Sequence, residues 1–200
     1  MKAVGWLFTT LIVGHLSGWL LPPDVAAIVV RPSSEQVAQA VERGRSAAAA
    51  RTPPDRLYAW FGSEQDLQPR GFLMTKMAGL AVMSTHFALR SEQPAESDIR
   101  QILDEPTMLV SVTIFGDRPN FARDAYLVMV QGGRSIKPTK VRFDGTAART
   151  SVWPKAPAFK AKVVATFAYD EFDPTANTTL SIFPAAGGEI SFALDFAQFE

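Results

Sequence analysis

Side chains that commonly carry enzyme chemistry are scarce in this sequence. It has no cysteine, and its two histidines are His15 and His86. His15 lies in an N-terminal apolar run, and His86 lies in a segment with the apolar spacing of a helix. A nucleophilic hydrolase needs a base beside its nucleophile, and a catalytic zinc ion needs about three protein ligands. The sequence therefore predicts no catalytic residue, no cofactor and no metal site, and it favours a non-enzymatic protein over an enzyme.

Carboxylates are the remaining candidates for chemistry. Asp170, Glu171 and Asp173 fall within four positions just before Pro174, and Ca²⁺ takes oxygen ligands in flexible geometry. The spacing is not that of an EF-hand loop, and Asp-Pro is a common turn, so a solvated turn is favoured over a metal site. Acid and base carboxylates can also meet in space without leaving a sequence pattern. A carboxylate-based enzyme or a carbohydrate-binding protein is therefore the alternative function.

The charged residues are unevenly distributed, although the formal net charge is zero. A zero net charge argues against nucleic acid as the main partner, because phosphate binding needs an excess of Lys and Arg. Residues 134–162 hold eight basic residues and one acid, Asp144, whereas residues 163–200 hold six acids and no base. The favoured interpretation is that these charges neutralise one another across neighbouring strands. The other is a basic surface for an anionic partner.

Strand alternation predicts which of the basic side chains share a face. In segments 140–143 and 159–163, apolar and charged residues alternate. The apolar residues are predicted to face inward: Val141, Phe143, Phe159, Ala161 and Val163. The basic residues are predicted to face outward: Lys140, Arg142, Lys160 and Lys162. If the two strands share a sheet, these four cations line one surface. Asp195 on the last strand would neutralise it, or the surface would be free for an anionic polymer or lipid headgroups.

A second candidate surface is aromatic. Residues 57–61 read Leu-Tyr-Ala-Trp-Phe, four large apolar side chains in five positions. Packing against the core is favoured, and an exposed patch that contacts a partner is the alternative. Tyr58, Trp60 and Phe61 are therefore grouped with the four cations as a possible partner surface. The exposure of Trp60, Phe61 and Trp153 is the observation that would best separate the two functions.

The N-terminus has the order of an export signal. Lys2 supplies a positive charge, residues 3–21 are mainly apolar, and the two prolines at 22–23 end any helix. The small residues of Val25-Ala26-Ala27 fit cleavage after Ala27. A signal peptide at 1–27 is favoured over an uncleaved anchor, although the run approaches the roughly 20 residues that span a bilayer. The predicted location is periplasmic or secreted, or membrane-anchored through this segment if it is retained.

From Pro106 onward the sequence is typical of short β-strands. Alternating segments are separated by Gly, Pro and Asp signals, as in sandwiches and barrels. The uninterrupted apolar segment Ala125–Val130 is predicted to be a central strand covered on both faces. Asp124-Ala125-Tyr126 is similar to the segment around the corner tyrosine of immunoglobulin domains, a match too short to define a family. The predicted strands are 110–114, 125–130, 141–143, 159–163, 180–182 and 190–196.

The region before Pro106 is predicted to be helical and to pack on the sandwich. Ser33 and Gln36 have the spacing of a capping box. The segment Gly71–Arg90 has helical apolar spacing, with two strands as the alternative, and Ser97 is predicted to cap a helix through Leu103.

The predicted organisation is therefore a signal peptide or anchor at 1–27, a helical region at 28–105 and a β-sandwich at 106–200. The predicted fold is mostly β (α+β), an immunoglobulin-like antiparallel β-sandwich with N-terminal helical segments. The predicted function is an exported non-enzymatic module that binds another macromolecule, either a protein or an envelope polymer. Contact with a membrane is expected only through the N-terminal segment.

Overall fold

The structure is a computed structural model, and it describes residues 27–185 and 187–199. The predicted signal peptide or anchor lies outside the described residues, apart from Ala27. Within those described ranges, no helix is both long and apolar enough to cross a membrane. The helices are α1 (Ser34–Ala49), α2 (Lys76–Leu89) and α3 (Glu96–Leu103). The strands are β1 (Ala59–Gly62), β2 (Arg70–Met74), β3 (Thr107–Gly116), β4 (Tyr126–Gln131), β5 (Arg134–Ile136), β6 (Lys140–Phe143), β7 (Ala148–Arg149), β8 (Phe159–Ala168), β9 (Asn177–Phe183) and β10 (Ile190–Asp195).

In the described part of the chain, the strands form two antiparallel sheets. The larger has six strands in the order β1-β2-β3-β8-β6, with β7 paired to the first two residues of β8. The smaller has four strands in the order β10-β9-β4-β5. The prediction of a mostly β, antiparallel sandwich with helical segments on its N-terminal side is confirmed. The immunoglobulin-like arrangement remains a prediction.

One hydrophobic core joins the inward faces of the two sheets. The strands alternate as a sandwich requires, so every second side chain enters this core. Burying each large aliphatic side chain stabilises the fold by about 1.5–3 kcal/mol. The fully buried side chains include Leu73, Met108, Val110 and Ile114 of the larger sheet, and Leu127, Met129, Leu180 and Ile182 of the smaller.

The strand predicted to be covered on both faces is covered on one. In β4, Leu127 and Met129 are fully buried, Val128 and Val130 are half-buried, and Tyr126 is 41% exposed. The prediction that all five are largely buried is therefore wrong. The outer face of the four-stranded sheet is open to solvent at these positions, so an unbroken apolar run reflects an apolar outer surface.

The segment Gly71–Arg90, predicted as one helix, is a strand followed by a helix. β2 pairs with both β1 and β3, and α2 begins after Thr75, whose hydroxyl accepts a hydrogen bond from the Ala78 amide at 3.1 Å. The strand was missed because its alternation spans five residues and runs directly into the helical spacing of α2. Since β1 and β2 join the larger sheet, the predicted boundary at Pro106 does not coincide with an edge of that sheet.

The starts of α1 and α3 test the two predicted helix caps. The capping box of α1 is confirmed, because the Ser33 hydroxyl accepts from the Gln36 amide at 3.2 Å and the Gln36 side chain accepts from the Ser33 amide at 2.9 Å. Ser97 does not cap α3. That helix already begins at Glu96, and the Asp98 carboxylate accepts from the Ala95 amide at 2.8 Å.

α1 packs against α2 through small residues and hydrogen bonds. The Ser84 hydroxyl donates to the Val41 carbonyl at 2.7 Å, and the Thr85 hydroxyl donates to the Gly44 carbonyl at 3.0 Å. A Cβ atom at Gly44 would lie 2.2 Å from the Ala81 carbonyl oxygen, closer than any real contact. The alanine-rich face of α1 therefore buries little apolar area but approaches its neighbour closely.

Candidate binding face of the six-stranded sheet

The outward side chains of the six-stranded sheet form a grid that the strand register defines. One row across five strands consists of Trp60, Phe72, Ser111, Val164 and Arg142. The next row runs through three strands as Arg70, Thr113 and Lys162, and the third pairs Phe115, Lys160 and Ala148. We call this outer side of the sheet the cationic face.

The four predicted cations lie together on the cationic face. Strand β6 pairs with β8, which places Lys140 opposite Thr166 and Arg142 opposite Val164, on the same side as Lys160 and Lys162. The prediction that these strands share a sheet is confirmed. The four side chains are exposed, and none lies within 4.0 Å of a described acidic group.

The favoured idea that Asp195 neutralises these cations is wrong. Asp195 ends β10, which belongs to the four-stranded sheet, so it cannot lie beside β8 on the larger sheet's outer face. Its carboxylate instead accepts from the Ala197 amide at 3.0 Å and from the Gln198 side chain at 3.1 Å. The acid-rich C-terminal part of the chain builds the opposite sheet, because β9 pairs with β4 and β10 pairs with β9, and neither pairs with β8.

The predicted inward residues of β6 are only partly buried. Val141 is half-buried and packs on the core, whereas Phe143 is 37% exposed. Both face inward by register, but β6 is an edge strand, where the core no longer covers the last residue. The prediction that Phe143 is buried is therefore wrong.

The aromatic segment divides between the core and the surface. Phe61 is 7% exposed and belongs to the core, which agrees with the favoured prediction for this segment and removes Phe61 from the alternative partner surface. Trp60 is 41% exposed, and Tyr58 stacks on Phe72 with ring centroids 4.3 Å apart. The alternation of β1 explains the split, since Trp60 and Phe61 point to opposite sides of the sheet.

Trp60 is held in place from several sides. Its indole nitrogen donates to the Asp55 carbonyl at 2.7 Å, and the Phe72 ring meets it edge-on at 5.3 Å. The Arg70 guanidinium lies 5.5 Å from the centre of the indole ring. Such a cation–π contact contributes about 0.5–1 kcal/mol at an exposed site. The ring is therefore a fixed aromatic surface beside a positive charge.

A groove of about 490 Å³ lies on the cationic face. Thr113, Phe115 and Lys162 lie at its centre, and the β1–β2 loop and the segment 144–151 border it on either side. Three cations and two acids line it, together with Trp60. The charged lining residues are Arg70, Lys160, Lys162, Asp66 and Asp144.

One of the two acids in the groove has a structural partner. The Asp144 carboxylate accepts a hydrogen bond from the Lys162 backbone amide at 2.8 Å, and the Asp144 amide donates to the Lys162 carbonyl at 3.0 Å. These bonds extend the β6–β8 pairing by one residue. They engage the backbone of Lys162 and leave its ammonium group directed to solvent.

A second cavity, of about 340 Å³, lies where α2 and α3 meet the far end of the cationic face. Lys76 lines it and donates to the Leu103 carbonyl, and desolvation lowers the pKa of this lysine. Burial raises the pKa of Tyr169, whose hydroxyl lies near the Lys76 amide but makes no hydrogen bond of ordinary geometry with a described residue. The Tyr169 hydroxyl oxygen is itself inaccessible to solvent, so it offers no hydrogen bond to a ligand in this cavity.

The acidic cluster after β8 forms a turn. Asp173 accepts from the Thr175 amide at 2.8 Å and from the Thr175 hydroxyl at 2.7 Å, and these bonds lower the pKa of Asp173. In residues 27–185 and 187–199, no three His, Asp or Glu side chains are grouped to hold a metal ion. The Asp173 carboxylate is used by its own turn.

Sequence reasoning missed half of the groove. Arg70, Phe115 and the polar β1–β2 loop reach it only because β3 pairs with β8 and β2 pairs with β3. The alternation of Arg70, Phe72 and Met74 on one side of β2 was a local signal, but it was absorbed into the predicted helix.

Comparison with known proteins gives no family. No family model matches the chain, and no curated protein is similar to it. Among solved structures, it is similar to the archaellum periplasmic stator protein FlaG from Sulfolobus acidocaldarius, with 9% identity over 46% of this chain and 88% of that chain and a TM-score of 0.32. A FlaF and FlaG stator complex from the same organism gives 11% identity over 44% and 77%, with a TM-score of 0.27. Such low TM-scores assign neither a fold nor a function to this chain.

Proposed function

We propose that this chain is an exported, non-enzymatic module that binds an anionic macromolecule through the cationic face. The observation that supports it is the groove, where Arg70, Lys160 and Lys162 lie beside exposed Trp60 without an ion-pair partner among the described residues. Cations on one face repel one another, and an anionic partner relieves that repulsion. The partner is a protein or an envelope polymer.

The test is retention of the purified full-length chain on an immobilised polyanion at low salt, with elution by a salt gradient. The variant K160Q/K162Q removes two of the groove's cations. Each exposed ion pair is worth about 0–1 kcal/mol, so the loss of two should weaken binding up to about thirtyfold and lower the elution salt. Its melting temperature should stay close to that of the wild type, because neither side chain has an ion-pair partner to lose among the described residues.

The matched control is R123Q/K137Q, which removes the same charge from two exposed cations outside the groove. The proposal requires this control to elute with the wild type. If both double variants lost retention equally, the effect would come from net charge and not from the groove. If the wild type were not retained at low salt, the proposal of an anionic partner would be wrong.

Export rests on the N-terminal sequence. Lys2, the apolar run at 3–21 and Val25-Ala26-Ala27 follow the order of a signal peptide. N-terminal sequencing of the protein from its native host is expected to begin at Ile28 or within a few residues of it. Recovery of the intact chain from the soluble cytoplasm would contradict export.

A further inference from the structure

The groove offers two kinds of contact, one aromatic and one cationic. At one side is the fixed indole ring of Trp60, and across the centre are the three cations Arg70, Lys160 and Lys162. From the strand register, Arg70 and Lys162 are two strands apart, roughly 10 Å, and Lys160 and Lys162 are roughly 7 Å apart along β8. A ligand that meets all of them is extended and carries several negative charges.

The uncharged lining narrows the chemistry further. Gln65, Gln68, Thr113 and Ser151 supply side chains that can donate and accept hydrogen bonds. Such groups match a ligand rich in hydroxyls. An indole ring offers an apolar face to the C–H side of a sugar ring, which removes apolar surface of both from water.

The two acids in the groove indicate which class of polyanion the groove fits. Asp66 and Asp144 accept hydrogen bonds and donate none when ionised, so they suit sugar hydroxyls and repel a dense row of carboxylates. A peptide of acidic residues can donate only its backbone N–H groups to these acceptors, and it has no ring to pack on a flat aromatic surface. A charged sugar polymer uses both, since its hydroxyls and its carboxylates occupy different positions on each ring.

We infer that the groove binds an acidic polysaccharide, with one sugar ring packed on Trp60 and its carboxylates directed to Arg70, Lys160 and Lys162. This inference rests on the proposed function and names the chemical class of its partner. It also distinguishes a carbohydrate-binding protein from a carboxylate-based enzyme, because the inferred binding requires an aromatic ring and cations but no catalytic carboxylate.

The experiment is calorimetric titration of the full-length chain with polygalacturonate, poly-L-glutamate of similar length and neutral dextran at low salt. Polygalacturonate is expected to bind most tightly, and dextran is expected not to bind. Trp60→Ala should weaken polygalacturonate binding about tenfold, in line with the loss of one aromatic contact, and Trp60→Phe should restore much of it. The W60F variant also keeps the outcome clear if W60A loses stability.

The matched control is Trp153→Ala. Trp153 is 44% exposed and has the Arg149 guanidinium 4.1 Å from its ring centre, so it resembles Trp60, but it does not line the groove. W153A should bind polygalacturonate as the wild type does.

Two results would overturn the inference. One is equal binding by W60A, W153A and the wild type, and the other is poly-L-glutamate binding as tightly as polygalacturonate. If K160Q/K162Q still weakens binding in either case, the anionic-partner proposal stands and only the sugar is lost. If neither polyanion binds, both proposals are overturned.

Discussion

The two outer faces of this sandwich differ in chemistry although both consist of alternate residues on antiparallel strands. The cationic face exposes lysines and arginines without described ion-pair partners, next to an aromatic ring. The outer face of the four-stranded sheet, which we call the neutral face, exposes Tyr126 and Phe183 directly opposite each other, at 41% and 40%. Val128 and Val130 continue that surface as half-buried residues.

Polar groups are treated differently on the two faces. On the neutral face, the Ser181 and Ser191 hydroxyls lie 2.9 Å apart, and the Ser191 hydroxyl donates to the Glu189 carboxylate at 2.6 Å. These groups satisfy one another, whereas the ammonium groups of Lys160 and Lys162 have no such partner among the described residues. Solvent exposure alone therefore does not distinguish a binding face. The presence of charge that the fold leaves uncompensated is the more informative feature.

The largest expected effect tests whether the neutral face is truly an outer face. Leu127→Asp would bury an unpaired carboxylate in the core and should cost more than about 4 kcal/mol, which prevents folding. Val128→Asp, one residue away, directs its carboxylate outward and should cost about 1 kcal/mol. Circular dichroism and thermal melting measure both. Loss of folding in V128D would show that this strand is covered on both sides, which would contradict the description of the neutral face as an outer face.

A smaller effect is expected from removing the aromatic pair of the neutral face. Cross-strand aromatic pairs contribute about 0.2–1 kcal/mol, so Y126S/F183S should lower the free energy of unfolding modestly. Its retention on a polyanion should match that of the wild type, because neither ring lines the groove. Denaturant unfolding and the salt-gradient elution described above measure the two quantities. A loss of retention would mean that both faces contribute to binding.

The smallest expected effect concerns Glu189 on the neutral face. Hydrogen bonds from Ser191 and Ser181 lower the pKa of Glu189. A carboxyl whose pKa is lower in the folded state stabilises the fold above its unfolded pKa, and that contribution disappears as the pH falls through the folded value. Glu189→Gln should therefore lower the melting temperature slightly at pH 7 and leave it unchanged near pH 2. A difference that persists or grows in acid would contradict the hydroxyl–carboxylate interaction.

The sequence predicts the features of the site that depend on a single segment, and it does not predict those that depend on how distant segments pair. The side on which Lys160 and Lys162 lie follows from alternation within one strand, and their exposure agrees with that local rule. The prediction for Asp195 failed because the order of strands within a sheet is not written in any single segment. The same holds for Arg70 and Phe115, which reach the groove through the register of β2, β3 and β8.

The sandwich architecture was easier to predict than its short strands β1 and β2. The longer strands of the C-terminal half have turn signals on both sides, so six of the eight described strands from Thr107 onward were predicted from spacing, and the short β5 and β7 were missed. β1 and β2 span four and five residues and lie next to helical segments, where a period of two has little length to show itself. The aromatic residues of β1 indicate a strand more clearly than its length does, since Trp60 and Phe61 occupy opposite sides of β1.

The backbone hydrogen bond from the Ile28 amide to the Pro174 carbonyl, at 3.1 Å, fixes where the chain joins the sandwich. Pro174 follows β8 beyond its C-terminal end, whereas Lys160 of the groove lies near the start of that strand, roughly 26 Å from its last residue, Ala168. Whatever precedes Ile28 is therefore attached at the pole of the domain remote from the groove. If that attachment is a surface, the groove opens on the side of the sandwich, and the length of β8 sets how far from that surface it is held.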